Sequence, residues 1–196
     1  MTSNALTPEI ASLWAGRLWG LLMLVWIVLW FGMKKAKKRE RWTERAEYSL
    51  LLVFGFYLVF GRPWVASPLN DRLFRGTPAV LWTGLAVTTL GIAISIWARL
   101  SLGSNWSGTV TLKDNHELIR KGLYRWIRHP IYTGILLGAV GSAILKGHLR
   151  GFVGVLVVLL SFYIKARREE RFLREEFGTG FDEHSRQTGM FLPKLT

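Results

Sequence analysis

Five apolar runs, each long enough or nearly long enough to cross a bilayer, constrain this chain more than any other feature. Leu18 to Met33 is uncharged and extends past Arg17 to about Ala11, which gives the roughly 20 residues a helix needs to span the hydrocarbon. Thr77 to Ala98 is long enough unaided. Tyr48 to Gly61 is shorter, but its borders, Glu47 and Arg62, have side chains that reach the interface. Pro130 to Leu145 and Gly151 to Ile164 are joined only by KGHLR, so they read as a tight helical hairpin, at a length where a re-entrant segment competes with a full crossing. The fold class expected is all-α: a polytopic membrane protein of about five transmembrane helices with a C-terminal hairpin and a cytoplasmic tail.

The basic residues test this topology independently, because Lys and Arg collect in cytoplasmic loops. In the five-span reading, 6 of the 26 Lys and Arg fall before the first span, between the second and third, or between the fourth and fifth; the other 20 fall on the opposite side. This places the N-terminus outside and the loops 34–45 and 99–128 and the tail in the cytoplasm. MTSNALTPEI lacks a basic n-region and a cleavage pattern, so the first run is expected to stay in the mature protein. Whether the membrane is a bacterial inner membrane or the endoplasmic reticulum stays open.

A net charge of +13 and the run KKAKKRERWTER raise the question of nucleic acid. Directly after an apolar span, such a run is a stop-transfer anchor drawn to anionic headgroups, and no nucleic-acid partner is expected. Ten Trp, several near the ends of apolar runs, suit the headgroup layer; Trp106 and Trp126 read as such anchors. Cysteine is absent, which excludes a disulfide framework, a thiolate nucleophile and Cys-ligated metal.

Polar detail concentrates after residue 99. The stretch RLSLGSNWSGTVTLKDNHELIRKGLYRWIRHPIYTG is too rich in Gly, Asn, Ser and Asp for one uninterrupted helix. At its end Pro130 suits the first helical position, which sets Arg128 and His129 at the mouth of helix four, where the dipole favours an anion. Gly134, Gly138, Gly141, Gly151 and Gly154 allow close backbone approach, with plain packing as the simpler reading. Beyond helix five, KARREERFLREEFG brings Glu169 and Glu170 back toward His129 and Tyr132; an ordinary charged helix end is the alternative. His116, His148 and His184 show no ligand spacing with His129, so no metal site is expected.

RHPIYTG, then an apolar hairpin, then ARREERFLREEFG and a terminal LP, resembles the isoprenylcysteine carboxyl methyltransferase family and its prokaryotic relatives. The upstream LGSNWSGTV and HELIRKGLYRWIRHP fit the same pattern, so the likeness covers roughly residues 97 to 193. It divides the chain into an N-terminal two-helix membrane region, 1–76, and a membrane-embedded methyltransferase core, 77–196, without a Rossmann domain. The resemblance implies a cofactor, S-adenosyl-L-methionine, in contact with His116, Glu117, Leu118, Ile119, Tyr124, His129, Pro130, Ile131, Tyr132, Glu169 and Glu170. Family members acting on a prenylated cysteine place a carboxylate-binding arginine one turn before the first glutamate. That position is Lys165 here, which keeps the charge and loses the planar fork; Arg168 is the alternative.

The implied activity is methyl transfer to a lipophilic small-molecule or lipidated acceptor, as carboxyl O-methylation of an isoprenylcysteine-like or other lipid-linked group. Lys165 and Arg168 would position an ionised carboxylate. An amine acceptor, as in a phospholipid N-methyltransferase, would need Glu169, Glu170 or His129 as a base. A sterol-reductase-like NADPH enzyme and a non-enzymatic membrane scaffold are the rivals from other classes.

Overall fold

The computed structural model describes residues 6–31, 36–62, 68–103, 106, 109, 111–113 and 118–194. They form six helices: α1 Pro8–Trp30, α2 Trp42–Phe60, α3 Pro78–Leu102, α4 Pro130–Lys146, α5 Leu149–Phe177 and α6 Thr179–Gln187. Two short segments, β1 Ala36–Arg39 and β2 Thr111–Lys113, pair antiparallel. This ribbon adds to the all-helical expectation: it joins the connector after α1 to the polar stretch after α3.

Local chemistry explains where the helices begin. Thr7 and Thr77 cap α1 and α3, their hydroxyls accepting from Ile10 N at 3.3 Å and Val80 N at 3.4 Å, and each is followed by a proline whose missing N–H is no loss there. The α2 helix starts at Trp42, earlier than the expected Tyr48, because the Glu44 carboxylate returns to Arg41 N at 3.4 Å and satisfies an N-terminal donor. The α5 helix runs 13 residues beyond the expected Ile164, since KARREERFLREEF holds good helix formers and no breaker until Gly178, whose φ of 52° ends it.

Three helices, α1, α3 and α5, are long and apolar enough to cross a membrane; α4 is apolar but only 17 residues long. Leu24, Val28, Leu50, Val53, Leu90 and Leu156 are exposed, as lipid-facing side chains would be. With no hydrophobic drive between helices in lipid, association rests on close packing. The α3–α4 contact is backbone against backbone: a Cβ on Gly91 would lie 2.5 Å from Gly134 O, and one on Gly141 would lie 2.6 Å from Gly84 O. The α2–α5 contact repeats this at Gly55 and Gly154, where a Cβ on either would come within 3.0 Å of the other's carbonyl oxygen. The packing reading of Gly134, Gly138, Gly141 and Gly154 therefore holds.

Polar side chains tie the same helices. Ser95 Oγ donates to Ile131 O at 3.2 Å, Trp19 Nε1 to Ser142 Oγ at 3.0 Å, and Ser161 Oγ to Tyr48 O at 2.7 Å. Arg99, almost fully buried, donates to Leu29 O and Gly103 O, both at 2.8 Å, and lies 4.3 Å from the Trp106 ring. It thus caps the carbonyl ends of α1 and α3 together, where the dipoles favour a cation. Replacing Gly91 with Leu drives α3 from α4 and lowers stability by about 3 kcal/mol, while Gly16→Leu, at an exposed site with nothing within 4 Å, leaves it unchanged. Thermal unfolding in detergent micelles checks both.

Candidate functional site

The α4 and α5 helices are joined by Gly147, in the left-handed region with φ 67°, and His148. Because α5 returns alongside α4 and outlasts it, its charged end passes the start of α4, and Glu169 and Glu170 meet His129. The His129 ring is buried, with Nε2 3.2 Å from Glu170 Oε1 and Nδ1 3.4 Å from Glu169 Oε2. Tyr132, one turn into α4, donates to Glu169 Oε1 at 2.6 Å, and Arg128 Nε donates to Glu170 Oε1 at 2.7 Å.

Burial alone would depress the His129 pKa, but hydrogen bonds and charge from Glu169 and Glu170 outweigh it and hold the imidazole above its ordinary value. An imidazolium donates from both nitrogens, which matches a carboxylate at each. His184 on α6 is the opposite case: burial, then the charges of Arg120 and Arg128, hold its pKa low.

Aromatic rings back the cluster. His129 and Tyr132 stack with centroids 5.4 Å apart, and Tyr132 stacks on Phe162 of α5 at 4.5 Å. Tyr124, in the short turn Gly122–Arg125, is buried in the same apolar group with Ile131, and Ile119 and Trp106 pack against it. Burial, then the nearby Glu169 charge, raises the Tyr124 hydroxyl well above its ordinary pKa. Pro130 is buried and Leu118 half-buried. His116 and Glu117 lie outside the described residues.

The tail straps the mouth of α4. Arg128 N donates to Gly189 O at 2.9 Å, His129 N to Met190 O at 3.1 Å, and Thr133 Oγ1 to Phe191 O at 2.6 Å. The Arg128 guanidinium reaches the carbonyls of Ser185 and Thr188 as well as Glu170. Tail carbonyls thus take the backbone donors of Arg128 and His129.

Lys165, one turn before Glu169, is buried, and its Nζ lies 5.3 Å from the Tyr132 ring and 5.6 Å from the Tyr48 ring. Arg168 points elsewhere, donating to Glu47 and to Glu44 O of α2. Sequence reasoning singled out neither Tyr48, Glu40, Phe162, Thr133 nor the strap at 188–191. The α2–α5 packing brings Tyr48 and Glu40 to the site, the α4–α5 pair brings Phe162, and the fold-back of the tail brings the strap; Thr133 lies within RHPIYTG, and no local motif marks the others.

Apolar helices with a buried histidine–carboxylate cluster where two of them meet define an integral membrane protein with a built polar site. Residues 83–175 match the model of the Isoprenylcysteine carboxyl methyltransferase (ICMT) family. A probable protein-S-isoprenylcysteine O-methyltransferase of Oryza sativa subsp. indica is 32% identical over 117 residues, 58% of this chain and 61% of the relative. The protein-S-isoprenylcysteine O-methyltransferase of Xenopus laevis is 27% identical over 136 residues, 66% of this chain and 47% of the relative. The solved structure of a eukaryotic intramembrane Ras methyltransferase, ICMT, is similar with a TM-score of 0.56 and 26% identity, covering 75% of this chain and 52% of that one. The chain thus spans about half to three fifths of the length of these relatives.

A raised His129 pKa gives a signed expectation. The stability it contributes is fully present below the ordinary imidazole value of about 6.5 and is lost as pH rises through the elevated folded value. In an NMR titration the His129 ring should stay protonated above that ordinary value, and Glu169→Gln or Glu170→Gln should each bring its midpoint down.

Proposed function

We propose that this protein is an integral membrane methyltransferase that uses S-adenosyl-L-methionine to methylate the carboxylate of a lipophilic, isoprenylcysteine-like acceptor. The observation that carries the reading is the buried His129 between Glu169 and Glu170, in a chain whose matched relatives include proteins named as methyltransferases of this kind. In this reading the chain crosses the bilayer five times, with residues 1–76 as a two-helix region and 77–196 as the core. The N-terminus lies outside, and the loop after α3, the α4–α5 hairpin and the tail enclose the cofactor on the cytoplasmic side.

The donor set suits that cofactor. Buried carboxylates accept from ammonium and ribose hydroxyl groups, stacked rings suit a purine, and a cation suits a carboxylate. Residues His116 to Ile119, Tyr124, His129 to Tyr132, Glu169 and Glu170 would hold it, and when bound it supplies an electrophilic methyl on a sulfonium. His129, fixed by both glutamates and by the tail, keeps Tyr132 and Glu169 in place. The apolar group around Tyr124, Ile131 and Phe162 excludes water, and in such a low dielectric the meeting of opposite charges is less opposed than in water.

The acceptor carboxylate is already ionised at neutral pH and needs positioning rather than a base. Lys165 supplies the cation, and Arg168 serves only by exchanging its contacts with α2. A buried cation at this position favours an anionic acceptor over an amine, and so carboxyl O-methylation over phospholipid N-methylation. Isothermal titration of the detergent-purified protein with S-adenosylhomocysteine and with NADPH tests the class. The expected result is saturable S-adenosylhomocysteine binding, weakened at least about tenfold by Glu169→Gln or His129→Ala; NADPH binding in its place, or neither, contradicts the reading.

A further inference from the structure

The family match begins at residue 83, yet α2 brings a side chain to the acceptor cation. Tyr48 is 3% exposed, and its position is set from two directions. Its carbonyl accepts from Ser161 Oγ at 2.7 Å, one turn before Lys165 on α5, and its hydroxyl donates to Glu40, just ahead of α2. Its ring and that of Tyr132 share the Lys165 ammonium, at 5.6 and 5.3 Å, and the Arg168 guanidinium lies 5.7 Å from the same Tyr48 ring.

A lysine ammonium is a point charge on a flexible stem, without the fork that orients an arginine on a carboxylate. Two ring faces from different helices restrict where it can sit, and cation–ring attraction strengthens as water is excluded. Glu169, Glu40 and Arg45 all act on Lys165 electrostatically, Arg45 against the two glutamates, so the ammonium lies in a field set partly by the start of α2 and the segment before it and partly by α5. Arg168, on the same ring, is directed to Glu47 and Glu44 O.

We propose that Tyr48, anchored by Glu40, is a positioning residue for acceptor recognition: with Tyr132 it holds the Lys165 ammonium where the acceptor carboxylate binds. The N-terminal region then supplies part of the acceptor subsite, with aromatic faces in place of the guanidinium fork. This rests on the role given to Lys165 under the proposed function.

The test uses the full-length protein in lipid nanodiscs with saturating methyl donor and N-acetyl-S-farnesylcysteine as the probe. KM and kcat are measured for wild type, Tyr48→Leu, Tyr48→Phe, Lys165→Ala and the double variants. Tyr48→Leu and Lys165→Ala should each raise KM about tenfold and Tyr48→Phe about threefold, with S-adenosylhomocysteine affinity unchanged. Because Tyr48 acts through Lys165, neither Tyr48 substitution should raise KM further in the Lys165→Ala background. Independent, multiplying effects, or wild-type KM in Tyr48→Leu, overturn the proposal while leaving the role of Lys165 standing. Unchanged KM in Lys165→Ala overturns that role and the proposal with it. If Tyr48→Leu does not fold, Tyr48→Phe in the two backgrounds decides by the same criterion.

Discussion

A histidine between two carboxylates, buried where α4 begins and α5 carries its charge, is the interaction on which the rest of this site depends. Removing one partner from such a buried ionic group typically costs about 3–5 kcal/mol, because the other charges are left uncompensated. His129 joins α4 to α5, Arg128 joins the same carboxylate to the tail, and Tyr132 joins the aromatic stack to Glu169. The contacts to Glu169 and Glu170 require α5 to continue as a helix past the apolar run, and those of Arg128 to the tail require the tail to fold back over the mouth of α4.

The glycine contacts below make that placement possible. Backbone contact at Gly91 and Gly134, and at Gly55 and Gly154, draws α3 to α4 and α2 to α5 with little slack, so the polar ends of four helices converge. Tyr48 illustrates the outcome: it lies far from the charged end of α5 in sequence, and the α2–α5 contact brings its ring to within 5.6 Å of Lys165. A polar site at the end of a lipid-facing bundle combines access for a lipophilic molecule with the charge needed to hold a polar one.

The apolar runs carried most of the architecture in the sequence, because lipid permits only a few ways to satisfy a backbone. The spacing of RHPIYTG and ARREERFLREEFG likewise made His129, Tyr132, Glu169 and Glu170 legible as one group. Less legible were features set by tertiary contact. The length of α5 depended on a charged run continuing as helix, and the β1–β2 ribbon on pairing between distant polar segments. The contributions of Tyr48 and of the tail strap came from side chains and carbonyls that no local pattern distinguishes. Lys165 and Arg168, three residues apart and equal candidates by charge, separate only once α2 engages Arg168.

Transfer of a labelled methyl group to a prenylated acceptor tests the central claim most directly. Purified protein in nanodiscs, given methyl-labelled S-adenosylmethionine and N-acetyl-S-farnesylcysteine, should yield a base-labile methyl ester, and none with the corresponding carboxamide. Labelled product that resists base, or no transfer by protein that binds the donor, would contradict carboxyl methylation as the reaction of this site.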